Sequence, residues 1–203
     1  VDSDTYALAY QGNGGGYIST FDIDNDGDIT AVNTQSEGNN LEYSGDVNAV
    51  ESWGKSFVKM DSDTFALAHT NPYSGGHITT FNILSDGQTI TKLSTLKHDA
   101  DYATRGTLLK VGSDTVALAY RTSGGGNIKT FDIDSDGDIT PADSLKHTTG
   151  SAGFFNSLVQ VDSDTFALAY DKSNTIRIST FTIDSDGDIT AVRADSEENS
   201  VNH

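Results

Sequence analysis

Cysteine does not occur among the 203 residues of the chain, which excludes disulfides, thiolate chemistry and cysteine-ligated zinc. A core of this size needs no covalent staples, so the compartment stays open. Basic side chains are scarce: 12 Lys+Arg stand against 30 Asp+Glu, a formal net charge of -18. Such a surface repels nucleic acid and anionic lipid, both of which need cationic counter-charge, so no nucleic-acid partner is expected. No apolar run reaches the roughly eighteen residues that a spanning helix requires, and membrane insertion is not expected either. No basic-apolar-small leader opens the sequence. Val1 falls within a repeat, so any signal peptide is expected to lie upstream or to have been removed.

What is present is repetition. Val1-Asp2-Ser3-Asp4-Thr5-Tyr6-Ala7-Leu8-Ala9-Tyr10 returns, with small changes, from Met60 to His69, from Val111 to Tyr120 and from Val161 to Tyr170. A second block follows each time, at Phe21 to Thr30, Phe81 to Thr91, Phe131 to Thr140 and Phe181 to Thr190. A period of roughly fifty residues makes the chain a tandem array, with units at about 1–59, 60–110, 111–160 and 161–203. Within the fourth unit, β-branched and aromatic residues mark four strands: 156–161, 165–170, 175–184 and 188–194. Ser185-Asp186-Gly187 reads as a hairpin turn. No helical periodicity is sustained anywhere.

The segment Phe166-Ala167-Leu168-Ala169-Tyr170 puts large residues on one face of a strand and alanine on the other. A strand covered on both faces by unequally distant neighbours calls for that asymmetry, as in the stacked blades of a β-propeller. Phe131-Asp132-Ile133-Asp134-Ser135-Asp136-Gly137-Asp138-Ile139-Thr140 resembles the third strand, turn and fourth strand of blades in lactonase-like (YVTN-type) propellers. Its Asp-x-Asp-x-Asp-Gly run is also similar to FG-GAP propeller repeats. The resemblance implies an all-β propeller of four four-stranded blades in a single domain, 1–203; a segment of a larger propeller and a β-sandwich are the alternatives. Strand counting leaves the first blade without its innermost strand. A ring closed with one thin blade, a segment of a longer array, and a ring shared by two chains all accommodate that.

In a four-stranded meander the first and third turns share one end. The Asp-rich turns therefore crowd one rim, and the Gly-rich loops and blade-to-blade returns occupy the other. Calcium is the candidate cofactor for the acidic rim, because Asp22, Asp24 and Asp26, and likewise Asp132, Asp134 and Asp136, alternate before a glycine. The match is incomplete: Thr30 and Thr140 stand at the ninth position, where an FG-GAP loop would want Asp. Solvated hairpin turns are the plainer reading. On the other rim Lys97-His98 and Lys146-His147 occupy equivalent positions, with His203 in the same register. They read as exposed strand-end basic pairs, or as contacts for an anionic ligand. Tyr10, Tyr17, Tyr73, Tyr120, Tyr170 and Trp53, the last in a longer first-unit return segment, are candidates to stack on sugar rings. The alternative for the strand-end tyrosines is to plug gaps between blades.

No Gly-x-Ser-x-Gly elbow, phosphate loop or singular acid–base cluster stands out. The leading expectation is therefore a non-enzymatic binding or adhesion module, secreted or on a cell surface, with a carbohydrate or cell-surface ligand and homo-oligomerisation as candidates. The first alternative is a propeller hydrolase or lyase acting on sugars or lactones. The second is a structural repeat of a larger surface protein.

Overall fold

A computed structural model describes residues 4–12, 15–35, 56–71, 75–150, 156–173 and 175–195. Among these, fifteen strands and no helix occur. Trp53, Tyr73 and His203 lie outside the described residues. Blade 1 holds β1 (Thr5–Gly12), β2 (Gly15–Ile23) and β3 (Ile29–Gln35). Blade 2 holds β4 (Phe57–Lys59), β5 (Thr64–Asn71), β6 (Gly75–Ile83) and β7 (Ile90–Asp99). Blade 3 holds β8 (Thr104–Lys110), β9 (Thr115–Thr122), β10 (Gly125–Ile133) and β11 (Ile139–Lys146). Blade 4 holds β12 (Ser157–Gln160), β13 (Thr165–Lys172), β14 (Thr175–Ile183) and β15 (Ile189–Asp195). Each blade is an antiparallel meander in chain order, three-stranded in blade 1 and four-stranded in the others. The fold is a β-propeller of tandem antiparallel blades, four-stranded in blades 2 to 4.

The large/small alternation of the second strands builds the seams between blades. Ala7 and Ala9 of blade 1 pack against Phe65, Leu67, Phe81 and Ile83 of blade 2. Ala66, Ala68 and Ile78 of blade 2 meet Val116, Leu118, Tyr120, Phe131 and Ile133 of blade 3. Ala117, Ala119 and Ile128 of blade 3 meet Phe166, Leu168, Tyr170 and Phe181 of blade 4. Alanine lets one sheet approach closely where its neighbour projects bulk, and that closeness fills the core without voids. Burying one such Leu or Phe contributes about 1.5–3 kcal/mol.

One polar contact recurs at every seam. Thr20 Oγ1 donates to the Gly87 carbonyl at 2.7 Å, Thr80 to Gly137 at 2.6 Å and Thr130 to Gly187 at 2.6 Å. Each bond ties the third strand position of one blade to the turn glycine of the next. Those glycines take φ of +67° to +82°, a left-handed conformation that any side chain with a Cβ resists. The hydroxyls are buried, so leaving one unpaired would cost the desolvation of a polar group.

Candidate active site

The Asp-rich rim is organised locally. In the turn of blade 3, Asp134 Oδ1 accepts backbone N–H bonds from Asp136 at 3.0 Å and Asp138 at 2.9 Å. Asp24 receives the same pair from Asp26 and Asp28, and Asp184 from Asp186 and Asp188. Blade 2 has Leu84 at this position, and Asp86 accepts from Gln88 instead. The first aspartate of the run does another job: Asp132 accepts from Thr115 Oγ1 at 2.9 Å, and Asp22 from Thr5 at 2.8 Å. Asp26 and Asp136 are exposed. Short Asp side chains reach backbone donors two residues on, which is why this residue type starts the turn. Between blades 3 and 4 the rim opens into a cleft of about 410 Å³ that includes Asp114, Asp132, Asp134 and Asp186. Among the described residues no three acidic or histidine side chains converge as the ligands of one ion would.

The glycine-loop rim is built differently, and one part of the sequence reading is corrected there. His98 and His147 are not the exposed half of strand-end basic pairs. His98 is buried, edge-on to Tyr120 with ring centroids 4.8 Å apart, and His147 sits in the same way against Tyr170 at 4.7 Å. Glycine makes room for both rings: a Cβ on Gly76 would fall 2.6 Å from the His98 ring, and one on Gly126 would fall 2.4 Å from His147 Nε2. Burial, with Lys129 nearby, lowers His98 to about 3. Burial and Lys172 lower His147 to about 4. Both rings are therefore neutral at ordinary pH and serve as packing.

The strand-end tyrosines are seam plugs as well. Tyr120 and Tyr170 are 1% and 5% exposed, so neither offers a ring face to a sugar. Tyr170 shares a hydrogen bond with Ser179 at 3.3 Å. Tyr10 makes the equivalent contact with Ser19 at 3.2 Å and stacks on Tyr17 with centroids 5.5 Å apart. In blade 2 histidine replaces both partners: His69 and His77 stack at 5.4 Å, and His69 Nε2 is 3.0 Å from Thr79 Oγ1. Burial holds His69 well below the usual imidazole range, with His77, His98 and Lys92 adding repulsion.

At the seam of blades 2 and 3 these features meet a carboxylate and a cation. Asp99 ends β7, where Asp101 N–H donates to its Oδ1 at 3.0 Å. Tyr120, at the end of the facing strand β9, donates its hydroxyl to Asp99 Oδ2 at 2.7 Å. Lys129 of β10 lies 3.8 Å from the same oxygen and donates to the His98 carbonyl. Burial alone would raise the Asp99 carboxyl. The Tyr120 hydroxyl, the Asp101 amide and the Lys129 ammonium outweigh it and hold Asp99 below the usual carboxylate range. Burial, then Asp99 itself, pushes the Tyr120 phenol upward, so it keeps its proton. Asp99 and Lys129 retain 21% and 25% side-chain exposure. Lys129 and His98 open with Lys97, Asp143 and Ser144 onto a cleft of about 270 Å³. Lys129 lines this cleft and its ammonium can stabilise a developing oxyanion, while the ionised Asp99 carboxylate beside it can accept a proton. Neither Asp99 nor Lys129 was singled out by the sequence pattern, because neither recurs in the other units.

Fold and site together define a β-propeller scaffold with a carboxylate–ammonium pair at the seam of blades 2 and 3. The chain is similar in structure to the periplasmic gluconolactonase of Pseudomonas aeruginosa, with TM-score 0.67 and 13% identity over 96% of this chain and 55% of that one. It is similar also to a putative 6-phosphogluconolactonase from Bacteroides uniformis, with TM-score 0.64 and 14% identity over 97% and 55%. A third likeness is to the NanB sialidase of Streptococcus pneumoniae, with TM-score 0.55 and 14% identity over 91% and 29%. No family model matches the chain, and no curated protein matches it. At these identities the likeness is one of fold, and the chain spans about half the length of the lactonase chains. The resemblance to lactonase-like propellers therefore holds for the scaffold. The expectation of a non-enzymatic binding or adhesion module does not stand, because solved structures that share this scaffold over nearly the whole chain carry the names of lactonases.

Proposed function

We propose that the chain belongs to a propeller hydrolase that opens lactones of sugar acids. The observation that carries the reading is the Asp99–Lys129 pair, a carboxylate held ionised 3.8 Å from an ammonium that itself lines a cleft. The named neighbours supply the substrate class. In this reading Asp99 accepts a proton from water as the water oxygen bonds to the lactone carbonyl carbon. Lys129 offsets the charge that builds on the carbonyl oxygen. The ring C–O bond then breaks, the ring oxygen takes the proton that Asp99 accepted and leaves as a hydroxyl, and the acid formed releases its proton to water as a carboxylate. Lys97 and Lys129 provide positive potential in an otherwise acidic molecule, which suits an anionic product. A location outside the cytoplasm fits the periplasmic neighbour.

Proton release from glucono-1,5-lactone, followed at constant pH against the spontaneous rate, tests the reading. Asp99→Asn is expected to lower kcat by roughly a hundredfold or more, with the fold retained by circular dichroism. Lys129→Met is expected to lower it as well. Lactone opening no faster than in buffer, or an Asp99→Asn variant as fast as the parent, would overturn it.

A further inference from the structure

The seam of blades 2 and 3 and the seam of blades 3 and 4 share a framework and differ in charge. At the first, Asp99 follows His98, and its carboxylate takes the Tyr120 hydroxyl at 2.7 Å with Lys129 3.8 Å away. At the second, Thr148 follows His147 and stands against Gly126 as Asp99 stands against Gly76. The carboxylate is therefore missing from the second seam. Tyr170 shares its hydroxyl instead with Ser179, which holds the strand position of Lys129.

Cations gather where the carboxylate is missing. Tyr170 packs toward blade 3, against Ala117, Ala119 and Ile128. Lys172, two residues further along the strand, projects to the same side, and so does Arg177, the cross-strand partner of Tyr170. Both are half-buried, and the equivalent positions of blade 3 hold the neutral Thr122 and Asn127. Lys172 is close enough to His147 for its charge to help lower that ring. Among the described residues neither Lys172 nor Arg177 has a carboxylate partner. Thr148 Oγ1, both ring nitrogens of His147 and Arg177 Nε are buried with no hydrogen-bond partner, and Thr148 is only 6% exposed. An unpaired buried donor costs its desolvation, and each of these groups can donate to an oxygen.

We infer that the glycine-loop end of the seam of blades 3 and 4 binds the oxyanion group of a small ligand, a carboxylate or a phosphate. Lys172 and Arg177 offset the charge of that group, while the Thr148 hydroxyl and one His147 N–H donate to its oxygens. The molecule carries its own precedent: one blade earlier, at the same level of the seam, the side chain of Asp99 supplies such a group from within the chain. The proposal is independent of the lactone reading, which rests on the seam of blades 2 and 3.

Titration of the purified chain with inorganic phosphate, and separately with acetate, tests it, with chloride holding the ionic strength constant. Calorimetry and the Arg177 Nε–H resonance are expected to show saturable binding of one or both anions at about millimolar concentration. Phosphate alone would define a phosphoryl site and acetate alone a carboxylate site. Arg177→Gln and Lys172→Met should each weaken binding roughly tenfold or more, the worth of a charged hydrogen bond. Thr148→Val should weaken it roughly threefold to tenfold. The same variant should keep or raise the thermal midpoint, since the hydroxyl it removes has no partner. No saturable binding of either anion would overturn the proposal. So would binding that survives unchanged in both Arg177→Gln and Lys172→Met, which would place the anion elsewhere. Neither result touches the lactone assay, which reads a different seam.

Discussion

The two rims of the propeller handle ionisable groups in different ways. On the Asp-rich rim each turn satisfies its own carboxylate: Asp134 caps two amides of its own turn, and so do Asp24 and Asp184. On the glycine-loop rim Tyr10, His69 and Tyr170 bond within their own blades, but Tyr120 of blade 3 is satisfied across a seam by Asp99 of blade 2. A local device can be copied with every repeat and stays independent of its neighbours. A device that spans a seam depends on two blades at once, so one substitution in one unit makes it singular. Abundant aspartate therefore marks architecture in this chain, and the Asp99–Lys129 pair lies where the pattern is broken.

Substituting a glycine on each rim should separate them most sharply. Gly125, at φ +125°, would bring a Cβ within 2.3 Å of the Thr148 carbonyl. Gly125→Ala is expected to lose about 3 kcal/mol or more in urea unfolding, since both the dihedral and the backbone contact resist it. Gly27→Ala meets open space and should lose only about 1 kcal/mol, for the dihedral alone.

Acid should act through the seams. His98 and His147, lowered to about 3 and about 4 in the folded chain, stay neutral there while an unfolded histidine begins to charge near 6.5. Unfolding then takes up protons, so their contribution is complete above pH 6.5 and is lost as pH falls toward the folded values. Each histidine should cost up to about 1.4 kcal/mol per pH unit in that window. His147→Leu should therefore flatten the fall in stability between pH 6.5 and pH 4 relative to the parent, measured by denaturant unfolding at each pH. An unchanged pH slope would mean that the ring reaches solvent.

Smaller effects are expected on the acidic rim. Asp134→Ala removes one acceptor from two turn amides and should cost about 1 kcal/mol, without altering the pH slope. Thermal unfolding in millimolar calcium and again in EDTA should give the same midpoint, because the carboxylates of Asp22, Asp24 and Asp26, and of Asp132, Asp134 and Asp136, are divided between a threonine, the turn amides and solvent. A higher midpoint in calcium would turn these loops into cation sites.

Much of the scaffold could be read before any coordinates. The fourth-unit strands expected at 165–170 and 175–184 are β13 at Thr165–Lys172 and β14 at Thr175–Ile183, because turn residues bound them on both sides. The alternation in Phe166-Ala167-Leu168-Ala169-Tyr170 pointed to stacked blades, and its large side chains pack against Ala117, Ala119 and Ile128 of blade 3. The burial of His98 and His147 was not legible. Their strands alternate exposed and half-buried residues almost to the end, and the rings are covered by a glycine on the adjacent strand and by a tyrosine and a phenylalanine of the next blade. Asp99 was harder still. Its partners Tyr120 and Lys129 are distant in sequence, and nothing at spacings of a few residues announces a contact formed by stacking two blades.

The threonine-to-glycine bond repeated along Thr20, Thr80 and Thr130 also bears on how such a chain can lengthen. Every unit brings one donor and one acceptor, at opposite sides. Duplicating a unit in the gene inserts both, so the new member joins its neighbours without any compensating substitution. Array length is then free to drift by whole units.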